Sequence, residues 1–128
     1  MKKNQNKREF KFRVWDKTTK KFLEVDKDNP FRYIDTSTNA LYNLSEIIQY
    51  DRFIIQQWTG LKDINNKDIY EGDIFKSKRS KWDVVEFVDG RFRANLKGAR
   101  LYDLYELFEE NGAPEVIGNV FENKDLLK

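Results

Sequence analysis

The chain has 128 residues, a length that suits one domain or two tightly packed subdomains, and its 39% apolar content leans on aromatics, with Phe 10, Tyr 6 and Trp 3. Lys and Arg number 24 against 22 Asp and Glu, so the net charge of +2 singles out no partner. With no Cys and no His, disulfides, thiolate zinc sites and nucleophilic catalysis through either residue are excluded, and a reducing cytosol is the simplest compartment.

Residues 1–8, MKKNQNKR, are polar and without periodicity, which predicts a flexible basic tail. From Glu9, the apolar Phe10, Phe12 and Val14 alternate with Lys11, Arg13 and Trp15, a period of two that predicts a strand with one apolar face. DKTTKK turns the chain into Phe22, Leu23 and Val25, completing a hairpin, with Trp15 expected in the core. A strand is expected over Phe31–Asp35 and, after the turn TSTN, a short helix in LYNLSEIIQYD, with Asn43 or Ser45 as its N-cap.

Phe53–Trp58 reads as a buried strand ending at a Gly60 turn. Asn65 and Asn66 suit positive φ, and Gly72 precedes a strand over Asp73–Lys76. Strands Val84–Val88 and Phe92–Leu96 flank Asp89-Gly90, a type I′ hairpin signal. Between Lys97 and Gly112 the period lengthens: Leu101, Leu104, Tyr105 and Phe108 share one face of a helix expected over 101–110, with Asp103, Glu106, Glu109 and Glu110 facing away. Gly112 and Pro114 stop it, a strand follows over Glu115–Phe121, and ENKDLLK closes with one turn. These elements predict a mainly β protein: an N-terminal β subdomain over 9–58 built on the hairpin, and a small, strongly bent, SH3-like β-barrel over 59–128 carrying one short amphipathic helix, the two forming one compact unit.

Three stretches, FKFRVWDKTTKKF, WTGLKDINNKDIYEGDIFK and EVIGNVFENKDLL, resemble segments of the YopX family in order and spacing and together span most of the chain. The resemblance implies a β-rich protein encoded by a phage or prophage; with the cysteine-free composition, the expected location is the cytoplasm of the bacterial host. It carries no enzymatic activity onto particular positions. The matching glycines, Gly60 and Gly72, read as makers of turns.

Candidate chemistry is sparse. Ser77, Lys78, Ser80 and Lys81 form the only Ser-Lys cluster, and KSKRSK is too polar to bury the lysine that such catalysis needs. Asp63, Asn65, Asp68, Glu71 and Asp73 are dense in oxygen but miss the calcium-loop spacing, because the sixth and twelfth positions counted from Asp63 are Asp68 and Ile74. No phosphate-binding glycine loop occurs, so no catalytic residue, metal or cofactor is assigned. No stretch approaches the ~20 apolar residues of a membrane span.

Charge is instead distributed in blocks. Residues 1–21 hold nine basic against two acidic residues, 22–75 five against ten, 76–101 eight against three, and 102–128 two against seven. The resulting expectation is a non-enzymatic module that binds a host or phage protein or its own copy, using the acidic helix residues Asp103, Glu106, Glu109 and Glu110 opposite the basic block. The alternative is nucleic-acid binding through Lys76, Lys78, Arg79, Lys81, Arg91 and Arg93 with Trp82 as an exposed aromatic. Against both stands the use of Lys and Arg to guard sheet edges.

Overall fold

The computed structural model describes residues 9–96 and 100–127; the expected tail over 1–8 lies outside them. The protein is mainly β, with three antiparallel sheets and two short helices among the described residues. In the first sheet, strand β1 (Phe12–Asp16) pairs on one side with β2 (Lys21–Phe22) and on the other with the long β6 (Phe53–Lys62), which also carries β7 (Asp68–Tyr70). The second sheet joins β3 (Glu24–Val25), β4 (Arg32–Asp35) and β5 (Ala40–Asn43), and helix α1 (Leu44–Ile48) follows directly. The third runs β11 (Arg100–Asp103), β10 (Arg91–Leu96), β9 (Asp83–Val88), β8 (Asp73–Lys76) and β12 (Glu115–Asn119), with helix α2 (Leu104–Asn111) between β11 and β12 and a 3-10 turn at Lys124–Leu127. This last sheet curls into a half-barrel. Among the described residues no helix is long and apolar enough to cross a membrane.

Two apolar clusters fill the interior. Val14, Leu23, Tyr33, Ile47 and Phe53 pack between the first two sheets and α1, whereas Ile69, Phe75, Val85, Ala94, Leu104 and Leu107 pack under the half-barrel and α2. Asn43 caps α1 as expected: its side chain accepts from the Glu46 N–H at 2.9 Å, and the Glu46 carboxylate accepts from the Asn43 N–H at 3.2 Å. Asp89 and Gly90 both take positive φ in the β9–β10 hairpin, as the type I′ turn requires.

Several expectations are corrected. Residues 40–43, where no strand is expected, pair with β4, and α1 starts at Leu44 directly after its cap. Gly60 does not end β6; it sits inside the strand at φ +85, where the pairing with β7 is irregular between Trp58 and Lys62. The helix expected over 101–110 begins at Leu104, because Tyr102 and Leu101 extend against Ala94 and Asn95, and Asp103 caps the helix by accepting from the Tyr105 N–H at 2.9 Å. Its inward residues are Leu104 and Leu107, with Leu101 and Tyr105 exposed. Strand β1 does not have a single apolar face either. Trp15, only 7% exposed, meets Phe22 edge-to-face and stacks on Phe121 with ring centroids 4.9 Å apart.

Because Arg13 shares that covered face with Trp15, its guanidinium is drawn inward. Its Nη1 meets the buried Asp73 carboxylate at 2.8 Å, its Nε–H donates to Gln56 Oε1 at 2.7 Å, and its Nη2–H donates to the Glu71 carbonyl at 3.1 Å. The rings of Phe22 and Tyr70 flank it at 4.8 and 4.9 Å. This one side chain ties β1 to β6, to the turn before β8 and to β8 itself. Burial pushes the Asp73 carboxyl above its ordinary value, more than Arg13 and the Tyr70 N–H draw it down. A second ionic knot lies in the N-terminal half. Arg52 grips the fully buried Asp16 through two bonds, at 2.9 and 2.6 Å, and reaches Asp35 at 3.2 Å. The Arg52 bond, with the Thr18 and Thr19 N–H donors, outweighs burial and holds Asp16 below its ordinary value of 3.8. Asp63 is pushed up by burial, but the N–H groups of Val116, Lys67 and Asn65 together bring it below 3.8.

Three outcomes are expected. Removing the guanidinium in Arg13→Ala leaves Asp73 buried and unpaired and should cost about 3–5 kcal/mol in urea unfolding, with Asp73→Asn in the same chain recovering part of the loss. Gly72 holds φ +85, and an added Cβ would run into the Gln56 amide, whereas at Gly90, φ +79, it would meet open space. Gly72→Ala should therefore cost more than the ~1 kcal/mol expected of Gly90→Ala. Because the folded carboxyls of Asp16 and Asp63 titrate below 3.8, the stability they add is complete above that value and is lost as pH falls through their lower folded values. Asp73, titrating above 3.8, works in the opposite sense and weakens the fold as pH rises past that value. Melting temperatures measured across the acid range should thus drop below pH 3.8, and Asp16→Asn should flatten that drop.

Candidate interaction surfaces

The basic block divides when it folds. The β8–β9 connection is a turn built by its serines: the Ser77 N–H donates to the Ser80 carbonyl at 3.0 Å, the Arg79 N–H to Ser77 Oγ at 3.2 Å, and the Ser80 hydroxyl to the Trp82 carbonyl at 2.9 Å. Both hydroxyls are thus engaged with the backbone of the turn. Lys78 and Lys81 stand exposed and form no ion pair among the described residues, while Arg79 lies over the Tyr102 ring at 4.0 Å. The other predicted cations are engaged elsewhere: Lys76 with Glu115 at 3.2 Å, and Arg91 with Asp103 at 3.6 Å. Arg93 is half-buried, paired across the ladder with Glu86, and its Nε finds no partner among the described residues. Trp82, expected as an exposed platform, is half-buried.

The acidic helix behaves differently. Asp103 is spent on capping α2 and on Arg91, whereas Glu106, Glu109 and Glu110 are exposed along it. The C-terminal end of α2 reaches the basic turn. Lys76, Ser77 and Lys78 line one depression of about 480 Å³ with Asn111, Gly112, Ala113, Pro114, Glu115 and Ile64. Ile64, 68% exposed, is held there by its N–H donating to the Pro114 carbonyl at 2.8 Å and by the Asx turn of Asp63, which accepts from the Asn65 and Lys67 N–H groups at 2.9 and 2.8 Å. The basic turn and the end of the acidic helix, far apart in sequence, thus border one depression with Ile64 on its lining.

The oxygen-rich stretch disperses rather than converging. Asp63 serves its turn and the Val116 N–H, Asp68 takes Lys11 and Lys62, Glu71 accepts the Gln57 N–H at 2.9 Å, and Asp73 holds Arg13.

A surface that sequence pattern did not bring together is a cleft of about 800 Å³ between the first sheet and the half-barrel. Phe10, Trp58, Phe92 and Tyr105 line it, and the Tyr105 hydroxyl donates to the Thr59 carbonyl at 3.3 Å beside Gly60. Lys11 lies over the Trp58 ring at 4.4 Å, shares Asp68 with Lys62, at 3.4 and 3.0 Å, and meets Glu9 at 3.9 Å, so two carboxylates face the two lysines. These aromatics come from four separate segments, and the local strand or helix pattern at each gave no sign that they meet.

A family model described as YopX protein matches residues 11–128. Among solved structures, protein EF1440 from Enterococcus faecalis is similar over 94% of this chain and 99% of its own, with 28% identity and a TM-score of 0.58. Protein YopX from Bacillus subtilis is similar in fold over 91% of this chain and 95% of its own, with 21% identity and a TM-score of 0.52. No curated protein matches the sequence. With a match that runs from the first residues of β1 through the closing 3-10 turn, the chain belongs to the YopX family.

Proposed function

We propose that the protein is a non-enzymatic interaction module of a phage or prophage, working in the host cytoplasm, and that it self-associates through the face around Ile64. The observation that carries this reading is the meeting of the basic β8–β9 turn, through Lys76 and Lys78, with the end of α2 and Glu115 around the exposed Ile64 and Ala113, while Glu106, Glu109 and Glu110 stand exposed on that same helix. Two adjacent patches of opposite sign are self-complementary under a twofold axis: each acidic patch meets the basic patch of the other copy, and the apolar residues at the axis meet each other. An apolar centre inside a charged rim is also the usual anatomy of a protein interface. A second reading, nucleic-acid binding at the turn, draws on the unpaired state of Lys78 and Lys81.

Sedimentation equilibrium should show a dimer that dissociates as salt is raised, because the rim charges are screened. Ile64→Asp should abolish it, and Lys78→Glu should weaken it at least ~10-fold by setting like charges together. Adding Glu110→Lys to Lys78→Glu in one chain swaps both signs and should restore the dimer. A monomer at every concentration up to about 1 mM would overturn the reading. So would a dimer indifferent to all of these changes.

A further inference from the structure

A second cationic depression lies at the opposite end of the β8–β12 ladder from the Ile64 face. That ladder runs from Lys76 opposite Glu115 at one end to Asp73 opposite Asn119 at the other, and Phe121 follows two residues later. There Trp15, Ile54 and Phe121 floor a depression of about 410 Å³, and Lys17, Lys20 and Lys124 frame it. All three lysines are exposed and none forms an ion pair among the described residues. Of the acidic side chains next to these lysines in sequence, Asp16 is gripped by Arg52, and the exposed Asp125 does not line the depression; Glu122 accepts from the Asn119 amide at 2.8 Å. The Phe10–Trp58 cleft sets Glu9 and Asp68 against its two lysines, whereas no carboxylate among the described residues lines this depression.

The frame is also rigid. Asp16 Oδ1 accepts from the Thr18 and Thr19 N–H groups, the Asp16 carbonyl accepts from the Lys20 N–H at 2.8 Å, and Lys20 is held at φ +57. On the other side, Asn119 Oδ1 accepts from the N–H groups of Phe121 and Glu122 at 3.0 and 2.9 Å, which fixes Phe121 against Trp15. Lysines presented at set positions around an apolar, aromatic floor match a ligand that alternates negative charge with flat apolar rings. We propose that this depression is a docking site for single-stranded nucleic acid, with backbone phosphates against Lys17, Lys20 and Lys124 and a base laid on the floor of Trp15, Ile54 and Phe121. A volume of about 410 Å³ accommodates one nucleoside and leaves the strand to pass on in both directions. An acidic peptide would satisfy the lysines but would leave the floor unused.

The test is fluorescence anisotropy of the full chain with a labelled oligothymidine of about a dozen nucleotides, begun at about 50 mM salt. Three phosphate contacts predict a log–log salt slope of about −2. Lys17→Glu, Lys20→Glu and Lys124→Glu combined should weaken binding at least ~100-fold and flatten that slope, while Lys78→Glu with Lys81→Glu leaves both unchanged. All five are exposed side chains, and circular dichroism will show that the variants stay folded. An abasic strand of equal length should bind about 10-fold more weakly, since it offers no ring to the floor. The proposal is overturned if the oligonucleotide does not bind, if the loss follows Lys78 and Lys81 instead, if the abasic strand binds equally well, or if polyglutamate of matching charge displaces the oligonucleotide at equal concentration.

Discussion

The Arg13 guanidinium, held between two aromatic rings and bonded to Asp73, Gln56 and the Glu71 carbonyl, is the constraint from which the rest of the architecture follows. A buried cation is tolerable only where its donors and charge are matched, so the chain around it has little freedom. Gln56 must lie directly across the β1–β6 ladder, and its amide occupies the space a side chain at residue 72 would need. The glycine in turn brings its backbone close enough for its N–H to reach the Val85 carbonyl at 2.7 Å and its carbonyl to receive the Val120 N–H at 2.9 Å. The half-barrel is thereby stitched to the first sheet by backbone bonds that depend on a side chain from β1.

Much of the fold was legible from short-range pattern. The Asp89-Gly90 hairpin, the Asn43 cap and the strands beside them arise from chemistry within a few residues, and the burial of Trp15 follows from the size and apolarity of its side chain. What escaped was two-sidedness. Period-2 alternation assigns Lys11, Arg13 and Trp15 to one face, and that face was read as open for the two cations and closed for the tryptophan. A buried Trp15 implies that its face is covered, and Arg13, two residues away on the same side, is then covered too. That inference was available, whereas the identity of the covering group, Asp73, was not, because it stands sixty residues further along the chain. The same limit applies to α2: its apolar periodicity began at Leu101, and only cross-strand pairing with β10 decided that Leu101 belongs to a strand.

The surfaces show how folding edits a charge count. Of the basic block, Lys76 and Arg91 are neutralised by carboxylates from distant segments and Arg93 is drawn in, leaving the turn cations. Of the acidic set, Asp103 becomes a helix cap. Meanwhile Lys17 and Lys20, which looked like ordinary turn residues, gain Lys124 as a neighbour and enclose an apolar floor. Sign along the chain is therefore a poor guide to sign in space.

The stack of Trp15 on Phe121 bears on how the protein is made. A ribosome releases residue 15 long before residue 121, and the pieces that cover the second face of β1, namely Gly72 with Asp73 and then Phe121, emerge in that order. Until the last of them is out, the nascent N-terminal sheet leaves part of the Trp15 face uncovered, and contacts of such long sequence separation form late. Completion of the first half thus waits on Phe121, and any chain interrupted before that residue carries an open flank on its earliest strand.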